Sequence, residues 1–236
     1  MENNFIRLLK PKNIHQTKKR IGPPEDGGYV MTEEVMKECS ALMTYGVGHD
    51  TRYEEEFVKL YNKPAFLFDH TNGMEKWERD NMKFFPEGLG YNDKCKEWHE
   101  HYMELGIKGD IFLKIDIEEY EYEYFKRTDI KKMASYVKGM LLEVHWIDST
   151  SNREKLVEIL NKIEEHFSLI HLHGNNWGGL WEHEGLTIPK VLELSFVNKN
   201  FINQEEYDTQ DYPIVGLDLP NKPDAEDYKL DFIKHA

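Results

Sequence analysis

The apolar run Ala41-Leu42-Met43-Thr44-Tyr45 leads straight into Gly46-Val47-Gly48-His49-Asp50. Glycines at a strand end let a ligand lie against bare backbone, because no side chain blocks its approach. The next apolar run closes on Phe68-Asp69, a carboxylate about twenty residues beyond the glycines, where an acidic side chain accepts hydrogen bonds from ribose hydroxyls. Together Gly46, Gly48 and Asp69 predict a site for a nucleoside-type ligand. A dinucleotide is disfavoured, since Thr51 replaces the third glycine of Gly-x-Gly-x-x-Gly and no pyrophosphate cradle follows.

Later strand ends carry a second set of polar groups. Asp116 ends one strand, and Glu143 with His145 ends the next. His171 and His173 lie on a later one, followed by Asn175 and Asn176. Residues two apart on a strand point to the same side, so Glu143 pairs with His145 and His171 with His173. Oxygen and imidazole donors at one rim suit a divalent metal, Mg²⁺, Mn²⁺, Fe²⁺ or Zn²⁺, with Asp116, Glu143, His145 and His173 as the candidate ligands. Imidazoles also take protons near neutral pH, which makes His145 and His171 the candidate general bases. A histidine that ligates cannot serve as the base, and the sequence leaves both roles open. The expected strand order weakens His173, because an antiparallel last strand would separate the His171 strand from the Glu143 strand. Trp146, Trp177, Trp181 and Tyr91 could stack on a sugar ring or adenine, although large aromatics serve burial first.

The elements that must position these groups alternate. Apolar runs predict strands at Ala41 to Tyr45, Ala65 to Phe68, Met82 to Phe85, Ile111 to Ile115, Gly139 to Val144, Ser168 to Leu172 and Lys190 to Val197. Helical patterns between them predict a mostly parallel sheet covered on both faces. Thr51-Arg52-Tyr53-Glu54 and Ser151-Asn152-Arg153-Glu154 read as capping boxes. Leu156, Leu160, Ile163 and Phe167 form one helical face. Cys95, Trp98, Tyr102 and Leu105 form another, which stops at Gly106.

Composition excludes several classes of function. With 236 residues, 39% of them hydrophobic, the chain can build one α/β core with little to spare, so 1–236 is expected to be a single domain. Residues 1–40 read as a lid or preface and 203–236 as a surface-hugging extension. Thirty basic against 44 acidic residues give a net charge of −14, which repels nucleic acid backbones and anionic membranes alike. No signal peptide or membrane span is expected, and Cys39 and Cys95 form no C-x-x-C, so a reducing cytoplasm is the expected location.

These segments, taken in order, resemble one family. Asp26-Gly27-Gly28-Tyr29, Gly46-Val47-Gly48, Phe68-Asp69, Phe84-Phe85-Pro86-Glu87-Gly88-Leu89-Gly90, Leu113-Lys114-Ile115-Asp116-Ile117-Glu118, Leu142-Glu143-Val144-His145, His171-Leu172-His173-Gly174-Asn175-Asn176 and Pro189-Lys190-Val191-Leu192-Glu193-Leu194 are similar to FkbM-like methyltransferases over about Arg20 to Asn200. The resemblance implies a Rossmann-like class I fold with seven strands, one of them antiparallel. It implies S-adenosylmethionine as donor, which has no phosphate to cradle, and a sugar, sugar nucleotide or glycan hydroxyl as acceptor; a homodimer is compatible with it. It adds Tyr29, Glu87 and Asp116 to the cofactor residues and Glu118 to the catalytic set of His145 and His171. One position departs from the pattern: Glu119 stands where the family usually has glycine. The alternatives are a nicotinamide-dependent oxidoreductase and a non-catalytic domain of the same fold.

Overall fold

The apolar runs are strands because nearly every residue in them is buried on both faces. In the computed structural model, which describes residues 2–235, they form an eight-stranded sheet. Its spatial order is Phe167–Gly174, Leu192–Asn198, Val137–Val144, Ile111–Ile115, Ala41–Tyr45, Ala65–Phe68, Met82–Phe85 and Trp77–Arg79. The five strands from Val137–Val144 to Met82–Phe85 are mutually parallel. Leu192–Asn198 inserts antiparallel between Val137–Val144 and Phe167–Gly174.

Register sets the site. Tyr45 pairs with Ile115 and with Phe68, Phe68 with Phe85, and Ile115 with Leu142. The strands therefore end on one line, and Gly46, Asp69, Asp116 and Glu143 emerge along a single rim, where ligands bind in open α/β sheets.

Helices cover both faces. Glu33–Glu38 and Arg52–Tyr61 bury Val35, Met36, Tyr53 and Phe57 on one side, against Leu42, Phe112 and residues Tyr29 and Met31 of the amino-terminal hairpin formed by Lys18–Ile21 and Tyr29–Thr32. Trp98–Glu104, Glu121–Arg127 and Thr150–Glu164 bury Trp98, Tyr122, Phe125, Leu156, Leu160 and Ile163 on the other. Each such side chain contributes about 1.5–3 kcal/mol by leaving water. The stretch after Asn203 also reaches inward, burying Tyr212, Leu230, Phe232 and Ile233. No helix among the described residues is long and apolar enough to cross a membrane.

Several local expectations are corrected. The sheet has an eighth strand, because Asp80 and Asn81 take φ of 47° and 64° and fold Trp77–Arg79 back antiparallel onto Met82–Phe85. Neither expected capping box forms. The Thr51 hydroxyl donates to Glu55 Oε1 at 2.8 Å while Glu54 is buried in the core, and Ser151 lies inside the helix that Thr150 opens. The first turn of Arg52–Tyr61 is instead served by Asp50, whose Oδ1 accepts from the Arg52 amide at 3.0 Å. A box does form at Glu97 and Glu100, so Cys95 falls outside the helix Trp98–Glu104, in a two-residue strand. Gly106, with φ of 64°, follows that helix as expected. Phe167 begins the next strand rather than extending the face of Thr150–Glu164.

Candidate functional site

Two clefts open along the strand-end rim. The first encloses about 540 Å³ and is lined by Gly46, Gly48, Asp69, Gly88, Leu89, Asp116 and Tyr120. The second encloses about 390 Å³ and is lined by Tyr29, Lys114, Asp116, Glu143, His145, Trp146 and Trp177. Gly46, Val47, Asp116 and Glu118 line both, so the clefts meet over the end of the Ile111–Ile115 strand.

The glycine turn is built by its neighbours. A Cβ on Gly46 would lie 1.5 Å from the Asp116 carbonyl oxygen, and φ there is 76°; bare backbone at this position is demanded by the adjoining strand. Gly48 has φ of 57° and faces the cleft, and a Cβ added to it would meet nothing within 4 Å. Asp69 lies beside them as the spacing predicts, and it organises the loop. Its Oδ2 accepts from the amides of Val47 at 3.1 Å and Gly48 at 2.9 Å, while Oδ1 accepts from the Thr71 amide and hydroxyl, both at 2.7 Å. Burial works against its charge, but these bonds outweigh it and hold the carboxyl below its ordinary range.

The second cleft concentrates carboxylates around one imidazole. His145 Nε2 lies 3.7 Å from Asp116 Oδ1, 3.6 Å from Glu118 Oε2 and 3.8 Å from Glu143 Oε1. On its other side, Nδ1 lies 3.2 Å from Glu121 Oε1, and the same oxygen accepts from the His145 amide at 2.8 Å. Tyr29 Oη donates to Glu143 Oε2 at 2.7 Å and lies 3.3 Å from Asp116 Oδ2; Asn175 Nδ2 donates to Glu143 Oε1 at 2.9 Å. Burial, opposed by Lys114 and His145, pushes Asp116 up to about 6. Glu143 is also raised well above its ordinary range, by burial and by Asp116 and Glu193. Burial opposes the charge on His145, yet Glu121, Glu143 and Asp116 raise it to about 9. The carboxylates around His145 favour its protonated form, which weighs against its expected role as a free base.

The other expected residues divide. His171 is buried and reaches neither cleft; its Nε2 lies 2.8 Å from Asp218 Oδ1, so it is no catalytic base. His173 has both ring nitrogens taken, Nδ1 by Glu193 at 3.0 Å and Nε2 by Asp227 at 3.0 Å, and it joins no ligand set with Asp116. The inserted Leu192–Asn198 strand keeps both histidines away from Glu143. Glu87 lines neither cleft, because Lys96 at 2.9 Å and His101 at 3.2 Å hold it elsewhere. Tyr29 belongs to the second cleft on Glu143 rather than to the first.

Among the described residues, Asp116, Glu118 and His145 bring ligand atoms within 4.8 Å of one another; Glu143 is occupied by Tyr29 and Asn175 and stays outside this group. Trp146 and Trp177, expected to serve packing first, are instead 40% and 59% exposed at the mouth of the second cleft. Trp181 packs on the core and stacks on His183, and Tyr91 stacks on Tyr124. Lys114 is the lining residue that sequence reasoning passed over, although its two-residue spacing from Asp116 places both on one side of the strand.

Strain marks the same place. Glu118, Glu119 and Trp146 adopt φ of 51°, 70° and 52°, left-handed values that cost non-glycine residues about 1–2 kcal/mol each. Glu119 is exposed, so replacing it has no packing cost. Glu119→Gly should stabilise the protein by about 0.5–1 kcal/mol after the added freedom of the unfolded chain is subtracted. Urea denaturation of the two proteins checks this, and a destabilised variant would show that the Glu119 side chain holds the turn.

A parallel sheet with its last strand reversed, and a glycine turn leaving the first of the parallel strands for a helix, is the α/β Rossmann-like fold of class I methyltransferases. Among solved structures, the chain is similar to the fibrillarin/Nop5p complex, at 13% identity over 67% of this chain and 72% of that one, with a TM-score of 0.41. It is also similar to the Methanococcus jannaschii fibrillarin pre-rRNA processing protein, at 11% identity over 70% and 68% of the two chains, with a TM-score of 0.41. Likenesses this distant say nothing about the chemistry of the site. No protein-family model and no curated protein matches the sequence.

Proposed function

We propose that this chain is an S-adenosylmethionine-dependent O-methyltransferase acting on a hydroxyl of a sugar, sugar nucleotide or glycan in the cytoplasm. The observation that carries the proposal is the junction of the two clefts at Gly46, Asp116 and Glu118. The first cleft, with its glycine loop, offers bare backbone to a nucleoside, and its volume falls within the range of small-molecule sites. The second offers an acceptor chamber with two exposed tryptophan rings at its mouth, faces suited to stacking on sugar rings. The carboxylates around it disfavour an RNA acceptor, whose successive phosphates they would repel.

The chemistry asked of the protein is modest. A sulfonium is a good leaving group, so the protein must hold acceptor oxygen, methyl carbon and sulfur in line and remove the hydroxyl proton. Asp116 suits the second task, with a carboxyl near 6, a place at the junction, and an Oδ1 that is buried without a hydrogen-bond partner. His145, 3.7 Å away, stabilises the ionised carboxylate when protonated.

The grouping of Asp116, Glu118 and His145 favours a second reading of the same reaction. The partnerless Asp116 Oδ1 and the mixed oxygen and nitrogen donors fit Mg²⁺, Mn²⁺, Fe²⁺ or Zn²⁺. A divalent ion bound there would lower the acceptor's pKa by coordination, with Asp116 as ligand instead of base.

One set of melting curves tests these readings. S-adenosylhomocysteine at 100 times its Kd should add about 2.7 kcal/mol of stability and NAD nothing; the reverse would move the protein to the oxidoreductases. Mn²⁺ should raise the melting temperature further only if the metal reading holds. Transfer of a labelled methyl group to a glycan acceptor would remove the non-catalytic alternative.

A further inference from the structure

Beyond the pull of its charge on the Asp116 carboxyl, Lys114 has no part in the chemistry above. It sits in the Ile111–Ile115 strand, 6% exposed, with its ammonium 4.9 Å from the centroid of the Tyr29 ring and 5.8 Å from that of Tyr53. Among the described residues nothing makes a hydrogen bond or close ion pair to its Nζ. An ammonium that lines a cleft with its donors unused is placed to take acceptors from a ligand. The other cations of the second cleft are committed: Arg52 to Asp50 at 2.6 Å and Glu25 at 2.5 Å, His145 to Glu121 at 3.2 Å.

The continuity of the clefts points to the ligand group. A nucleoside seated beside Asp69, Gly88 and Leu89 with its 5′ carbon towards Gly46 would run the attached chain past Asp116 into the second cleft. The cation lining that second cleft without a hydrogen bond or close ion pair is Lys114. We infer that Lys114 binds the α-carboxylate of the donor's amino acid tail, and so fixes the sulfur end of the donor at the junction. The inference rests on the methyl-donor reading. It assigns Lys114 to donor binding, leaving proton removal to other groups.

Two ligands that differ only at the tail test it. S-adenosylhomocysteine carries the amino acid end, whereas 5′-methylthioadenosine keeps the nucleoside and thioether without it. In calorimetric titrations, Lys114→Met should weaken S-adenosylhomocysteine by at least about tenfold, as expected for loss of a charge-assisted bond, and leave 5′-methylthioadenosine within about twofold. Lys114→Gln should do the same and provides the comparison if the methionine variant does not fold. Equal losses for both ligands, or no loss for either, would overturn the assignment. Wild-type protein that binds neither ligand would overturn the methyl-donor reading itself, an outcome distinct from selective failure at Lys114.

Discussion

Asp116→Asn is expected to yield a protein that melts higher than its parent and transfers no methyl groups. Asp116 is held up to about 6 from an ordinary 3.8, chiefly by burial. Its charged form is thus less favourable in the folded state than in the unfolded one. For an acid with a raised folded pKa, stability falls as pH climbs from about 4 to about 6, and the loss persists above that range. Asparagine removes this cost and keeps the shape. His145 loses one of its four carboxylates in exchange, so a net gain of about 1 kcal/mol at pH 8 is expected, or about 2–4 °C in melting temperature. The gain should vanish below about pH 3, under both values, where the folded and unfolded states of the parent are protonated alike. Turnover should fall by about a thousandfold or more, whether the carboxylate acts as base or as ligand. Calorimetry across pH in chelator-treated buffer, with a labelled methyl transfer assay, checks both halves. Wild-type turnover in the variant would refute the site.

Gly46→Ala and Gly48→Ala should separate what two similar glycines do. The first places a methyl 1.5 Å from the Asp116 carbonyl oxygen at φ of 76°, and neither the Cβ, fixed by its own backbone, nor that carbonyl can rotate away. A loss of about 4 kcal/mol or more is expected, enough to leave little folded protein. The second meets no atom within 4 Å and costs about 1 kcal/mol for its left-handed φ. Its effect should appear in binding, because the new methyl projects into the first cleft. Equal destabilisation by both substitutions, read from urea midpoints, would contradict this division.

Glu119 shows how far a motif can be read. The departure from glycine is visible in the sequence, but only the backbone reveals that the position retains a left-handed φ of 70° with a side chain attached. Glu87 is the opposite case. Its neighbours Gly88 and Leu89 line the first cleft, yet Lys96 and His101 draw its carboxylate away from it. Lys96 lies beside the Glu97 cap and His101 inside the helix that follows, and local pattern gives no sign that they converge on Glu87.

The alternation of buried strands and amphipathic helices is legible in the amino-acid order, and with it which residues stand at strand ends. Apolar runs fix strands by burial on both faces, and the in-register parallel pairing then sends Gly46, Asp69, Asp116 and Glu143 to one rim. Which of those ends share a chamber, and in what charge state, is settled by the folded chain alone. The reversed Leu192–Asn198 strand takes His171 and His173 out of the site, the fold of the amino-terminal hairpin brings Tyr29 onto Glu143, and crowding with Asp116, Glu118, Glu121 and Glu143 favours a proton on His145. The physical reason is range: burial patterns are written in neighbouring residues, whereas a pKa and a ligand set depend on atoms a few ångströms apart that the chain brings together from distant positions.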